Sequence, residues 1–185
     1  MSSTRGYHHG DLRRTILDAA AEAITESGPA GWSLRELARR AGVSHAAPAH
    51  HFGDKAGLLT ALATEGFQLL ADELNSVPDD FLEAGVAYVR FATGHRAHFE
   101  VMFQPALLRS DDPELQAAEN RASTALEEGL RKAVPPERAS GDMRLAAWSI
   151  AHGFAALWLS GAIADRVGED AVEAARPVLR NLLRG

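Results

Sequence analysis

The chain has no cysteine. Disulfides and thiolate chemistry are therefore excluded, and a reducing cytoplasm is its simplest home. Its first ten residues, MSSTRGYHHG, lack the apolar run of a signal peptide. No alternating strand pattern, internal repeat or low-complexity tract occurs along it. A P-loop, a dinucleotide fingerprint and any Ser-His-Asp ordering are also missing. No catalytic residue, cofactor or metal site is assigned, and the chain is not read as an enzyme. Long apolar runs are scarce too. The exception is Leu145 to Ala164, 20 residues without a formal charge, which is enough to span a bilayer. Ser149, His152, Ser160 and two glycines interrupt it, and no second run exists. It reads as a helix held between a core and a dimer partner, so no membrane partner is expected.

What remains is a chain of 185 residues, 46% of them hydrophobic, which suits one domain or a small one fused to a larger one. The net charge of −6 argues against nonspecific coating of DNA. It is also uneven. Residues 1–55 carry seven Lys+Arg against six Asp+Glu, hence +1, and the rest carries 12 against 19, hence −7. Five of the eight histidines (His8, His9, His45, His50, His51) fall in the first part. A near-neutral, His-rich head on an acidic body suits local attraction to DNA.

The informative stretch runs from Ser33 to Lys55, SLRELARRAGVSHAAPAHHFGDK. Ser33 and Glu36 have capping-box spacing. Leu34, Leu37, Ala38 and Ala41 recur at helical spacing, and Gly42 is placed to end that helix. Ser44 is a natural N-cap for a second short helix reaching Phe52. Two short helices around a Gly-containing turn form a helix-turn-helix, here 33–52, whose second helix lies in the DNA major groove. Ala46, Ala47 and Ala49 would let its backbone approach base edges, and a methyl can meet a thymine methyl. His45, His50 and His51 add polar rings. Asp54 caps a third helix that starts at Lys55, an arrangement suited to a phosphate.

From His9 to Phe67, about a third of the chain, the sequence resembles the N-terminal domain of the TetR family of bacterial transcriptional regulators. HGDLRRTILDAA, GWSLRELARRAGVSHAAPAHHFGDK and GLLTALATEGF look like that family's first four helices. One departure is Ala49, where the family usually has a tyrosine that touches a phosphate. A usual neighbouring basic or aromatic position is His50. Expected DNA contacts are Ser33, Arg35, Ser44, His45, Ala46, Ala47, Ala49, His50, His51 and Lys55.

The chain divides into a flexible arm (1–9), a DNA-binding domain (10–70) and a ligand-binding and dimerisation body (78–185). Helices are expected over Asp11–Ser27, Lys55–Leu74, Asp79–Thr93, Arg96–Phe103, a stretch from Asp112-Pro113 to Val134, Gly141–Ala164 and Asp170–Leu183, with Pro177 kinking the last. His95 and His98 have the spacing of two metal ligands, but no carboxylate-rich partner is evident, so they read as packing or surface residues. Trp148 and His152 are four apart and share a helix face. With Gly153 they are similar to the C-terminal domain of one TetR subgroup named for Trp, His and Gly. Together with Phe91, Phe99, Met102 and Phe103 they are expected to border a pocket.

The fold expected is therefore all-α, about nine helices, with a three-helix DNA-binding head. The resemblance implies a ligand-responsive repressor that binds a palindromic double-stranded DNA operator as a homodimer, with a small-molecule effector in the body. It also implies a dimer interface on the last two helices, through Trp158, Leu159, Val178, Leu179 and Leu182. Two alternatives stay open: a helical small-molecule-binding or enzymatic bundle with a purely structural helix-turn-helix, and a DNA-binding protein with a closed body and no effector.

Overall fold

Helical periodicity accounts for the architecture. The computed structural model describes residues 9–77, 80–133, 135 and 140–184, without the side chains of 9–11, 133, 164, 165 and 182–184. Ten α-helical segments and one 3-10 turn occur among the described residues, with no strand; nine of the helices have six residues or more. The arm lies outside the described residues, apart from the backbone of His9.

Two compact units form. The first contains the chain up to Glu65 together with Ala97–Leu115. Its helix α1, His9–Ser27, buries Ile16, Leu17, Ala20, Ala23 and Ile24 on one stripe. Helix α2, Leu34–Arg40, is held by Ser33, whose Oγ accepts the Glu36 N–H at 3.2 Å. Only this half of the expected capping box forms. The Glu36 carboxylate turns instead to Arg40, 3.3 Å away and one turn on, and Arg40 also pairs with Glu26. Gly42 (φ +66°) ends α2. The Val43 N–H reaches the Ala38 carbonyl and the Gly42 N–H that of Arg39, the paired bonds of a Schellman stop. Helix α3 spans Ala47–Phe52, and α4 begins at Lys55 and runs to Ser76. Trp32, Leu37, Phe52, Leu58, Leu59 and Leu62 complete this unit's core. Most of α6, Arg96–Met102, and the 3-10 turn Pro105–Leu107 also belong here.

The second unit holds α4 from Gly66 on, α5 (Phe81–Gly94), α7 (Pro113–Ala133) from Gln116 on, α8 (Gly141–Leu159), the single turn α9 (Ala164–Val167) and α10 (Ala171–Arg184). Helix α5 packs against α8 and α10, burying Val86, Val89 and Phe91 from α5, Ala151 and Ala155 from α8, and Ala175 and Leu179 from α10. The long uncharged run does not form one helix to Ala164. It stops at Leu159, and Gly161 (φ +78°) follows. Among the described residues no helix is long and apolar enough to cross a membrane. Helix α10 continues through Pro177, with Asp170 capping its first turn through the Val172 N–H at 2.8 Å.

Candidate nucleic-acid interface

The outer face of the head is set by how α3 begins. Its first helical residue is Ala47, and the Ala47 N–H closes a turn onto the Ser44 carbonyl at 3.0 Å. Ser44 therefore closes a turn instead of N-capping the helix, which corrects the expectation from sequence; Ala46 precedes α3 with no side-chain cap. That phase decides which residues face outward. Ala46, Ala49 and His50 are exposed, as is His45 in the turn. Ala47 and Pro48 are buried, so Ala47 is corrected from an outward contact to a core residue. His51 is half-buried, its ring 6.2 Å from that of Phe52. It helps line a polar cavity of about 170 Å³ with Arg13, Thr60, Thr64 and Arg109. Ser33 is committed to its cap, while Arg35 and Arg39 on α2 are exposed and make no ion pair with a described residue.

Lys55 is the second correction. Its ammonium does not point outward. It donates to the Trp32 carbonyl at 2.8 Å and the Ala30 carbonyl at 3.2 Å, and lies 4.2 Å from the centre of the Trp32 ring. Burial lowers its pKa below the ordinary lysine value. Asp54 does cap α4, its Oδ1 accepting the Gly57 N–H at 2.8 Å.

Sequence reasoning missed Arg109. It lies in a stretch that reads as loop, yet its Nη2 is 2.9 Å from Asp54 and its backbone N–H donates to Thr60 Oγ1 at 2.9 Å. The Gly57 N–H, and then Arg109, hold the Asp54 carboxyl below its ordinary value. His98 also acquires an unexpected carboxylate partner. It is buried, with Nε2 3.3 Å from Glu65 Oε1, which accepts from Arg14 as well. Sequence paired His98 with His95 and found no carboxylate partner, because Glu65 lies 33 positions earlier.

In the second unit Trp148 and His152 meet on a residue that no motif marked. Trp148 Nε1–H donates to the Tyr88 hydroxyl at 3.2 Å, and that hydroxyl is 2.9 Å from His152 Nδ1. Indole can only donate, and a phenol oxygen has two acceptor sites and one hydrogen, so the Tyr88 hydroxyl joins the Trp148 and His152 rings of α8 to α5. Burial raises the Tyr88 phenol above its ordinary pKa and pushes the His152 imidazole below 6.5. Beside this cluster lies an apolar cavity bordered by Phe81, Gly85, Tyr88, Trp148 and Leu179. It measures about 20 Å³, room for one water-sized group. Of the other expected pocket residues, Phe91 is buried in this unit and its ring stacks on His95. Phe99, Met102 and Phe103 belong to the first unit.

Leu179 is a third correction. It is 5% exposed and turned toward Gly85, where an added Cβ would lie 3.1 Å from it, so it is a core residue and not a partner contact. Val178 on α10 and Leu157 on α8 are exposed, and Trp158 and Leu159 are half-buried. The Leu182 side chain lies outside the described residues.

Residues 16–62 match the family model described as bacterial regulatory proteins, tetR family. Residues 81–182 match that of the tetracyclin repressor-like C-terminal domain. The HTH-type transcriptional regulator BetI of Escherichia coli (strain K12) is 29% identical over 171 residues, covering 83% of this chain and 84% of its own. A protein of unknown function from Rhodococcus sp. RHA1 is 31% identical, covers 98% of both chains and superposes with a TM-score of 0.77. The TetR family transcriptional regulator PfmR from Thermus thermophilus is 25% identical, covers 92% of this chain and 97% of its own, and gives a TM-score of 0.68.

Proposed function

This chain belongs to the tetR family of bacterial regulatory proteins, and from that premise we propose that it is a ligand-responsive repressor, binding a palindromic operator as a homodimer. The observation that carries DNA binding is the exposed face of α3. Ala46, Ala49 and His50 stand outward there with His45 beside them, on a helix fixed from behind by Ala47, Pro48 and Phe52. Small side chains on that face permit close approach to base edges, and Arg35 and Arg39 supply cations for phosphates.

The remaining features of the proposal follow the family. Residues 10–70 serve as the DNA-binding domain and 78–185 as the body. Two subunits present their recognition helices roughly 34–36 Å apart, one DNA turn. Exposed Leu157 and Val178, with half-buried Trp158 and Leu159, support a dimer interface on α8 and α10. An effector in the body would contact Trp148 and His152. It can shift binding only by its differential affinity for the two conformations. The cluster that joins Trp148 and His152 through Tyr88 supports placing the body in the Trp-His-Gly subgroup. The protein acts in the cytoplasm and performs no catalysis. A gel shift with the DNA upstream of its own gene tests the proposal. A discrete shifted band, competed by excess unlabelled copy but not by random DNA, is the expected result.

A further inference from the structure

The chain uses arginine for almost every cation; its only lysines are Lys55 and Lys132. Lysine at position 55 has a physical reason. A compact ammonium with three donors can reach two carbonyls at once and still sit over a ring, whereas a planar guanidinium fans its donors in one plane. The Lys55 ammonium does this with the Ala30 and Trp32 carbonyls and the Trp32 indole. Trp32 is buried with its Nε1–H lacking an acceptor among the described residues. Lys55 is thus a main polar tether for the segment between α1 and α2. The next residue, Ser33, caps α2, and Arg35 sits in that helix's first turn. Two residues before Lys55, Gly53 closes the recognition helix.

We infer that Lys55 is a positioning residue for DNA binding, which ties the start of α4 to the loop before α2 and so fixes α2 against the recognition helix, and that its ammonium stays on the loop carbonyls when the head is on DNA. This rests on the head being the DNA-binding element. It differs from the phosphate contact expected from sequence in what each variant should lose. A positioning residue holds the geometry that reads bases, so its loss lowers operator affinity more than random-DNA affinity. A phosphate ligand contributes equally to both, and its removal lowers the salt slope by about one per head.

Two measurements decide it. The first is the rate of lysine acetylation in the wild-type protein, free and with a saturating duplex from the upstream region, using exposed Lys132 as internal reference. Lys55 should react about tenfold or more slowly than Lys132 in both states, as a donor held by charge-assisted hydrogen bonds does. Equal reactivity in the free protein, with protection only on DNA, overturns the inference. The second is Lys55→Met, which keeps the apolar stem over Trp32. Operator affinity should fall about 10- to 100-fold, while random-duplex affinity stays within about twofold and the salt slope is unchanged. A parallel fall in both affinities with a shallower slope overturns it, as does a loss that merely tracks the unfolded fraction. Should the variant not fold, the wild-type footprint decides alone. If no upstream duplex binds, the DNA-binding reading fails, and the free-protein footprint still tests the tether.

Discussion

Arg109 places its guanidinium 2.9 Å from the Asp54 carboxylate, at the joint between the recognition helix and α4. The fit is close. A methyl at Gly57 would lie 3.1 Å from Arg109 Cζ and 2.0 Å from the Phe52 carbonyl oxygen. Because Asp54 titrates below its ordinary value, its contribution to stability is present above the unfolded pKa, about 4, and is lost as pH falls through the folded value. Arg109→Ala should therefore unfold at lower urea than wild type at pH 7, with a smaller gap at pH 3, below the unfolded pKa. The effect should be small, since both partners are well exposed. Urea midpoints at the two pH values check this.

Arg35 is the cleanest phosphate candidate, being exposed in the first turn of α2. Arg35→Ala should weaken operator and random duplexes by a similar factor and lower the salt slope by about one per head. Fluorescence anisotropy between 50 and 200 mM salt, roughly the range over which such slopes are read, makes the measurement. An unchanged slope would place Arg35 away from the backbone.

Ala49 is exposed on α3, where the family usually has tyrosine. A neutral hydrogen bond to phosphate contributes about 0.5–1.5 kcal/mol. Ala49→Tyr should then tighten operator and random DNA alike, roughly 2- to 12-fold per head, without moving the salt slope, because a phenol releases no counterion. Loss of operator binding with nonspecific binding retained would show instead that Ala49 sits against a base.

The Tyr88 hydroxyl accepts a hydrogen bond from the Trp148 indole N–H and lies 2.9 Å from His152 Nδ1. Tyr88→Phe should cost about 1–3 kcal/mol in chemical denaturation. His152 titrates below its ordinary value, so the folded state favours neutral imidazole. Its contribution is full above the unfolded pKa, about 6.5, and declines as pH falls toward the folded value. His152→Gln should flatten stability between pH 7 and pH 5. Parallel wild-type and variant curves would contradict this.

Leu157 and Val178 are 49% and 39% exposed in the single chain. Charging such sites changes monomer stability by about 0.5 kcal/mol or less but disrupts an apolar interface. Leu157→Glu with Val178→Glu should give a folded monomer by light scattering, without operator binding. A persistent dimer would move the interface elsewhere.

Much of this was legible in the sequence because the cues are local. The Ser33 cap, the Gly42 stop and the Asp54 cap each act within a few residues, and each appears where the residue type demands it. The family resemblance rested on those same residues. What was not legible depends on distant partners. Alpha-helical phase over six residues could not separate Ala46, outward, from Ala47, inward; the Ser44–Ala47 turn decided that. Lys55 read as a phosphate ligand because its carbonyl acceptors lie 23 and 25 positions earlier. Tyr88 lay among apolar residues on α5, and its partners are 60 and 64 positions away. Leu179 and Val178 are neighbours on one stripe, and only packing against Gly85 turns Leu179 inward.

The most direct measurement is anisotropy of a labelled duplex from the region upstream of the gene, titrated beside a random duplex of equal length at the same salt. The sequence-reading head proposed here should bind the upstream duplex about 10³-fold or more tightly, with two chains per site. Inserting about half a helical turn between the half-sites should abolish the preference. Equal affinity for both duplexes, or a preference indifferent to the insertion, would contradict a dimer that presents two spaced recognition helices.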